Sequence, residues 1–393
     1  MRILAVGNAN SAHVQQRCQA LAARGHEVAL LSEVRGVAAN VATCPLPDGG
    51  TFARLRMMRR HLTAWPCDCV HVHYAAGYGA WLAAPGRRPL VVSVMGGDLL
   101  DDEQVPLGRL ERWLTRSLLN SADLVTSKSE TLSRRLEALG VGRDRILPLV
   151  WGVDISRFRP TDGSDLRRRL GLDPAARVIL SPRALRPFYN INVIIDAFAR
   201  LAAVHADLVL AVLGDAGDPA YATRLRSRVT EAGLDGKVIF PGAATAEEMP
   251  AWYGLAEIMV SVPTSDGVPQ SLLEAMACGC PPVVADLPHY QDWVDPGRTA
   301  LVTPIDPTAL AATISRLIDD PELRTRLKSS GPALVAERAD LTKDVIRLEQ
   351  RLTHLRRSHR PGPARRLAIL LGLAALVVSQ AVSARFTRHL AWL

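Results

Sequence analysis

The chain has 393 residues, 48% of them hydrophobic, enough for two domains with separate cores, and a formal net charge of +8. The charge is localised: residues 351–393 hold eight arginines and no acidic residue, which leaves 39 basic against 39 acidic side chains in the first 350. A neutral body with few aromatics lacks the basic, aromatic-lined groove of a nucleic-acid enzyme and argues against such a partner.

In chain order, short apolar runs at 3–6, 27–31, 70–73, 90–94, 124–127 and 146–149 read as strands. Helical stretches separate them, the first over 13–24 and closed by Gly25. Such alternation predicts a parallel doubly wound sheet whose functional edge lies at the carboxyl ends of its strands. The loop Asn8-Ala9-Asn10-Ser11-Ala12-His13 follows the first strand and lacks Gly-x-Gly-x-x-Gly, which argues against a dinucleotide. His13 in this loop is an acceptor-side candidate. Period-two alternation puts His71 and His73 on one strand face, with His73 nearest the edge, as an acceptor-side group or a satisfied structural histidine. Asp98, after Gly96-Gly97, has two readings, an acceptor contact or a cap of the turn that follows it. The opening residues read directly as a strand, with no leader, and the six cysteines lack metal or Cys-x-x-Cys spacing and read as reduced cytosolic thiols.

The alternation stops around 151–164, where turn formers gather, and this sets a boundary between domains at 1–155 and 156–340. A second alternating set follows, with strands at 178–181, 208–213, 238–240, 258–262 and 282–285. Arg183 and Arg186 follow the first of these at its carboxyl edge. After the strand at 258–262 comes Ser265-Asp266-Gly267-Val268-Pro269-Gln270-Ser271-Leu272-Leu273-Glu274-Ala275-Met276-Ala277-Cys278-Gly279. Pro269 suits a first helical turn and Gly279 a helix end, so strand, loop and helix leave backbone N–H groups and a positive dipole end where phosphate binds. Asp266 falls on the loop and Glu274 about two turns into the helix, one carboxylate for sugar hydroxyls and another for a ribose diol.

The acid, Gly, Pro and Glu spacing, followed by Ala-Met-Ala-x-Gly-x-Pro, resembles the signature of the retaining glycosyltransferases of family 4. The Gly152-Val153-Asp154 segment before Phe158 and Pro160 is similar to that family's linker. The resemblance implies the GT-B fold: α/β, two Rossmann-like doubly wound domains facing a cleft, here with a C-terminal apolar tail. It implies a donor site at Arg183, Arg186, Tyr189, Asn190, Gly267, Val268, Pro269, Gln270, Ser271 and Glu274, with Asp266, Glu274 and Arg183 at the chemistry. It also implies retention by front-face attack, the departing phosphate taking the acceptor proton. The co-substrate is a nucleoside-diphosphate sugar; no cofactor or metal is expected, and there is no Asp-x-Asp pair to hold one. The chain departs from the family at three positions: Asp266 stands for Glu, Tyr189-Asn190 for Lys-Gly, and Met95 for His.

Beyond 340, apolar residues at 341, 345, 348, 352 and 355 predict an amphipathic helix over 341–360, by resemblance the helix that crosses back to the first domain. The tail, 361–393, contains twelve residues without a polar side chain (367–378) flanked by arginines, with Trp392 suited to an interface. Attachment to an anionic membrane surface, a core helix packed on the body and a disordered end are the competing readings. The whole reads as a hexosyltransferase acting on a lipid-linked or polysaccharide acceptor, cytoplasmic and at the inner face of the cytoplasmic membrane. A GT-B sugar-nucleotide epimerase and a sugar-nucleotide-binding subunit without turnover are the alternatives.

Overall fold

The computed structural model describes residues 1–34, 36, 41–44, 50–99, 107–214, 217–266, 268–355 and 357–390, with the backbone alone at 289 and 381–390. Two compact units form, one from Met1–Val150 with Val345–Leu393 and the other from Trp151–Asp344. The first division falls five residues before the expected 155, because Val153 donates its N–H to Ala339 and bridges in parallel to Asp340, inside the second unit. The second falls inside the helix Leu341–Thr353, whose Leu341, Val345, Leu348 and Leu352 are all buried, the stripe that their spacing predicts.

The first unit holds seven parallel strands, β1 (Arg2–Val6), β2 (Glu27–Leu31), β3 (Ala42–Cys44), β4 (Cys69–His73), β5 (Leu90–Ser93), β6 (Leu124–Ser127) and β7 (Ile146–Pro148). Their order is β3-β2-β1-β4-β5-β6-β7, so the winding reverses between β1 and β4. Leu4 pairs with Ala29 on one side and Val70 on the other, and near-continuous apolar runs bury both faces. The second unit has β8 (Arg177–Ser181), β9 (Leu208–Leu213), β10 (Val238–Gly242), β11 (Ala256–Ser261), β12 (Pro282–Ala285) and β13 (Leu301–Thr303). Here the order is β10-β9-β8-β11-β12-β13, and the winding reverses between β8 and β11. Three Asp-Pro steps open helices around this sheet: Asp218, Asp306 and Asp320 each cap with a carboxylate while the following Pro takes the first helical position. The edge strands Ala42–Cys44 and Leu301–Thr303 are absent from the expected set, since three residues carry too little periodicity.

The tail forms one helix, Pro363–Leu390. Ile369, Leu373, Leu376 and Val377 are buried in the first unit's core, against the helices Tyr78–Ala83 and Arg109–Ser121. Gly372 permits the close approach, because a Cβ there would lie 3.0 Å from the Trp113 ring. The segment before it is pinned by Asp123, which accepts from Arg357 Nη1 at 2.7 Å and from the backbone N–H of Ser358. Burial pushes that carboxyl up, but Arg357 and the backbone donors outweigh it and hold it below the ordinary value. So the tail helix packs on the body along one face, while Leu367, Leu371 and Val378 stay exposed on another. Trp392 lies outside the described residues.

Candidate functional site

Ligands of open α/β sheets settle at the carboxyl ends of the strands where the winding reverses. In the second unit that point lies between β8 and β11. Arg183 leaves the end of β8, and Gly214, after β9, makes room for it: its φ is +121° and a Cβ would lie 2.7 Å from the Arg183 carbonyl oxygen. The guanidinium forks between two partners. Nη2 donates to Asp266 Oδ2 at 2.7 Å and Nη1 to Ser271 Oγ at 3.1 Å, while its carbon sits 4.2 Å over the centre of the Tyr189 ring. Burial alone would lower its pKa; Asp266, then Tyr189 and Tyr290, reverse that and hold the cation firmly protonated.

The helix Gln270–Ala277 starts beside this fork, with Pro269 as its N-cap rather than in its first turn. Ser271 therefore brings both a hydroxyl and a first-turn N–H to the guanidinium, a composite anion site of cation and helix start. Gly279, with φ +67°, ends the helix as its spacing suggests. Glu274, one turn after Gln270, accepts from the Tyr253 hydroxyl at 3.1 Å. Burial pushes its carboxyl up to about 7, against the pull of Tyr253, Arg157 and Arg183. Tyr253 in turn is held well above its usual range by burial and by Glu274.

The sequence missed two members. Tyr290, on the short turn Pro288–Tyr290 after β12, is 2% exposed, and its hydroxyl has no hydrogen-bond partner among the described residues. Its pKa is raised, first by burial and then by Asp266, so the hydroxyl shares the electrostatics of the Arg183–Asp266 pair. No sequence signal marks a lone tyrosine 24 positions beyond Asp266. Tyr253 was missed for the same reason.

Other expected donor residues divide. Asn190 adopts a left-handed conformation, φ 52°, and its amide donates to Val262 O at 2.8 Å and to Thr264 Oγ1, so the side chain shapes the loop. Gln270 Nε2 donates to Gly152 O at 2.8 Å, holding the segment that opens this unit. Both amide nitrogens are held by the protein's own acceptors. Arg186 is exposed and lies against Gly217, whose Cβ position is 2.6 Å from its Nε. Val268 and Pro269 are buried. Gly267 lies outside the described residues.

In the first unit a cavity of about 380 Å³ opens where the winding reverses between β1 and β4, lined by Gly7, Asn8, Ser11, Glu33, His73 and Tyr74 among others. Met95 also reaches it. Tyr74 carries φ 86°, a conformation costing about 1–3 kcal/mol in a non-glycine residue and common at binding sites. Glu33 accepts the Gly79 N–H at 2.6 Å, and burial raises its carboxyl. His73 and His71 stack with ring centres 4.1 Å apart. Burial pushes both imidazoles down, His71 to about 3, so both are neutral at pH 7. His13 is half-buried between Ser11 and Val14, two residues of the cavity wall. Asp98 is buried, and its oxygens accept the N–H groups of Ala75 at 2.7 Å, Met95 at 3.0 Å and Gly96 at 2.9 Å, all ahead of it in the chain, tying together the loops after β4 and β5.

All six cysteines are buried single thiols, and no group of three or more potential metal ligands occurs among the described residues.

Residues 162–333 match the family Glycosyl transferases group 1, and residues 11–150 match the Glycosyl transferase 4-like domain. Among curated proteins, the chain is 29% identical over 289 residues to a D-inositol 3-phosphate glycosyltransferase of Streptomyces bingchenggensis, covering 69% of this chain and 63% of the relative. It is 30% identical over 277 residues to the protein of that name from Corynebacterium efficiens, covering 66% and 65%. The matches thus span just under two thirds of these relatives' length. Among solved structures, Anabaena Alr3699/HepE in complex with UDP-glucose aligns with a TM-score of 0.78 at 20% identity, covering 90% of this chain and all of that one. That likeness shows the fold, GT-B, as the sequence led one to expect.

Proposed function

The chain belongs to the group 1 glycosyltransferases, and from that premise we propose that it moves a hexosyl unit from a nucleoside-diphosphate sugar to a saccharide or lipid-linked acceptor, with retention, at a membrane surface. The observation that carries the reading is the Arg183 fork at the start of the helix Gln270–Ala277. A diphosphate set there meets a fixed cation, the Ser271 hydroxyl and the positive end of a helix, which together stabilise the negative charge that grows as the sugar departs. Arg183 does the work for which the family pairs an Arg with a Lys, and the Tyr189 ring beneath it keeps the guanidinium in place.

Glu274, in its ionised form, accepts hydrogen bonds from a ribose diol, and Asp266 accepts from sugar hydroxyls while remaining paired to Arg183. Tyr290 offers its unpartnered hydroxyl to the same diphosphate or sugar. The acceptor oxygen bonds to the anomeric carbon on the face that the diphosphate leaves, and its proton passes to the departing phosphate oxygen. No separate base is then needed.

For the acceptor, the curated relatives carry names that specify D-inositol 3-phosphate. The cavity between β1 and β4 favours a different chemistry, since Glu33 is the charged side chain among its described lining and His73 is neutral. A carboxylate repels a phosphate and accepts from hydroxyls, which supports an uncharged saccharide part. The arginine excess before the tail's apolar run, five residues against two after it, supports the cytosolic side of the membrane.

The test is incubation of the full chain with a panel of labelled UDP-, GDP- and ADP-sugars, with and without saccharide, lipid-linked and inositol-phosphate acceptors. Acceptor-dependent transfer from one donor supports the reading. Conversion of a donor to its epimer without acceptor would replace it with the epimerase, and binding without turnover under every acceptor would replace it with a binding subunit.

A further inference from the structure

The first unit contains a second cavity, of about 450 Å³, that shares no lining residue with the first. Its volume falls within the roughly 300–1,000 Å³ of small-ligand sites. Three separate segments bring arginines to it: Arg59 from the helix Thr51–Ala64, Arg87 and Arg88 from the turn after the helix Tyr78–Ala83, and Arg366 from the first turns of the tail helix. No carboxylate lines it among the described residues.

Arg59, Arg87 and Arg88 are exposed and Arg366 is half-buried, so four like charges share one wall without a counter-charge, and folding gains nothing from that arrangement. Elsewhere in this chain the buried or half-buried arginines near a carboxylate are paired, as Arg183 is with Asp266 and Arg357 with Asp123. Here none of the four makes an ion pair or a side-chain hydrogen bond among the described residues, and the Nε of Arg366 is shut off from solvent without a partner among them. A buried donor without a partner is destabilising unless a ligand supplies the acceptor. Guanidinium forks match the oxygens of a phosphate.

The rest of the wall is apolar, with Leu62 and Leu370. Leu370 continues on the tail helix into a stripe that faces solvent, where Leu367 is 58% exposed and Leu371 60%. A free phosphate or nucleotide would use the arginines and leave that stripe in water. An amphiphile uses both.

We propose that the Arg59–Arg87–Arg88–Arg366 cavity is a binding site for the phosphate headgroup of an anionic membrane lipid, with the Leu367 and Leu371 stripe resting on its acyl region. The tail helix then lies on the bilayer with its opposite face still packed on the protein, and the headgroup site fixes which side of the first unit meets the membrane. The inference deepens the membrane part of the proposed function and is independent of the donor chemistry.

The experiment is flotation of the full chain with vesicles of phosphatidylcholine alone and of phosphatidylcholine with phosphatidylglycerol, with glycerol phosphate and inorganic phosphate as competitors. The chain is expected to float with the phosphatidylglycerol vesicles and to detach as salt rises. Replacing Arg87, Arg88 and Arg366 together by Gln should lower the partition at least about tenfold, since basic groups near an anionic surface act additively. The variant's melting temperature should hold or rise and its donor-nucleotide affinity should stay unchanged, which separates a lost site from a lost fold. Leu367→Ser with Leu371→Ser should weaken vesicle binding but leave glycerol phosphate binding intact. Equal flotation of the triple variant and the natural chain would overturn the site. So would wild-type flotation of the Leu pair variant together with tight inorganic phosphate binding, which would mark a soluble anion as the ligand. Absence of sugar transfer with normal flotation would defeat the proposed function and leave this site standing.

Discussion

Glu274→Gln separates what the fold wants from what the ligand wants. The Glu274 carboxyl is moved from an ordinary 4.5 to about 7, chiefly by burial. At about 1.4 kcal/mol for each tenfold change in the equilibrium that is about 3 kcal/mol, and residual solvent exposure reduces the readable part to about 2 kcal/mol. Because the folded-state value is raised, the group's contribution to stability is fully present below 4.5 and is lost as pH rises through about 7. Gln cannot ionise, so the variant should match the natural chain near pH 4.5 and be more stable by about 2 kcal/mol at about pH 8, a shift of roughly 4–8 °C for a unit of this size. Donor affinity should move the other way. A carboxylate that accepts from a ribose diol must be ionised, so nucleotide affinity in the natural chain should climb as pH rises toward about 7 and then level off. Glu274→Gln should bind more weakly by roughly 1–3 kcal/mol at about pH 8 and show no such climb. Thermal melts and calorimetric titration with the nucleotide of the preferred donor, each over about pH 5.5–8.5, read both effects. A variant no more stable at high pH, binding nucleotide as tightly as the natural chain, would refute the burial argument and the ligand role together.

Arg183→Lys keeps the charge but loses the fork to Asp266 and Ser271, and nucleotide affinity should fall by about 1.5–3 kcal/mol with little change for the bare nucleoside; equal losses for both would place Arg183 away from the diphosphate. Tyr290→Phe removes a buried hydroxyl without a partner, so stability should be unchanged or rise by about 1 kcal/mol, while donor-sugar affinity drops by a similar amount. A variant that loses stability would show the hydroxyl to be satisfied within the fold. Leu373→Ala, in the buried face of the tail helix, should destabilise the first unit by about 2–5 kcal/mol in chemical unfolding. A change within error would mean that the helix is detached in solution.

The strands Glu27–Leu31, Leu124–Ser127, Leu208–Leu213 and Pro282–Ala285 were legible to the residue, because parallel strands buried on both faces read as unbroken apolar runs between turn formers. The edge strands Ala42–Cys44 and Leu301–Thr303 were not, since so short a run carried no apolar pattern to set it apart, while the equally short edge strand Ile146–Pro148 was. In the site, Arg183, Asp266 and Glu274 stood out by residue type and spacing along one strand–loop–helix stretch and one strand end. Gln270 lies in that stretch and Asn190 seven positions after Arg183, but their amides turn inward to Gly152 and Val262, a choice of rotamer and partner that residue type does not encode.

What the sequence determined by itself is what lies within a few turns of chain: two sets of alternating strands and helices, a helix start prepared for a phosphate, and an apolar run with arginines before it. What the tertiary structure decided is which distant residues share a volume. Tyr290 meets Arg183 and Asp266 because β12 lies beside β11 in the sheet. Arg59, Arg87, Arg88 and Arg366, spread over some 300 positions, meet because the tail helix packs on the helices Tyr78–Ala83 and Arg109–Ser121. Electrostatics and desolvation depend on distance in space, and the chain order carries no record of that distance until the sheets and helices have packed.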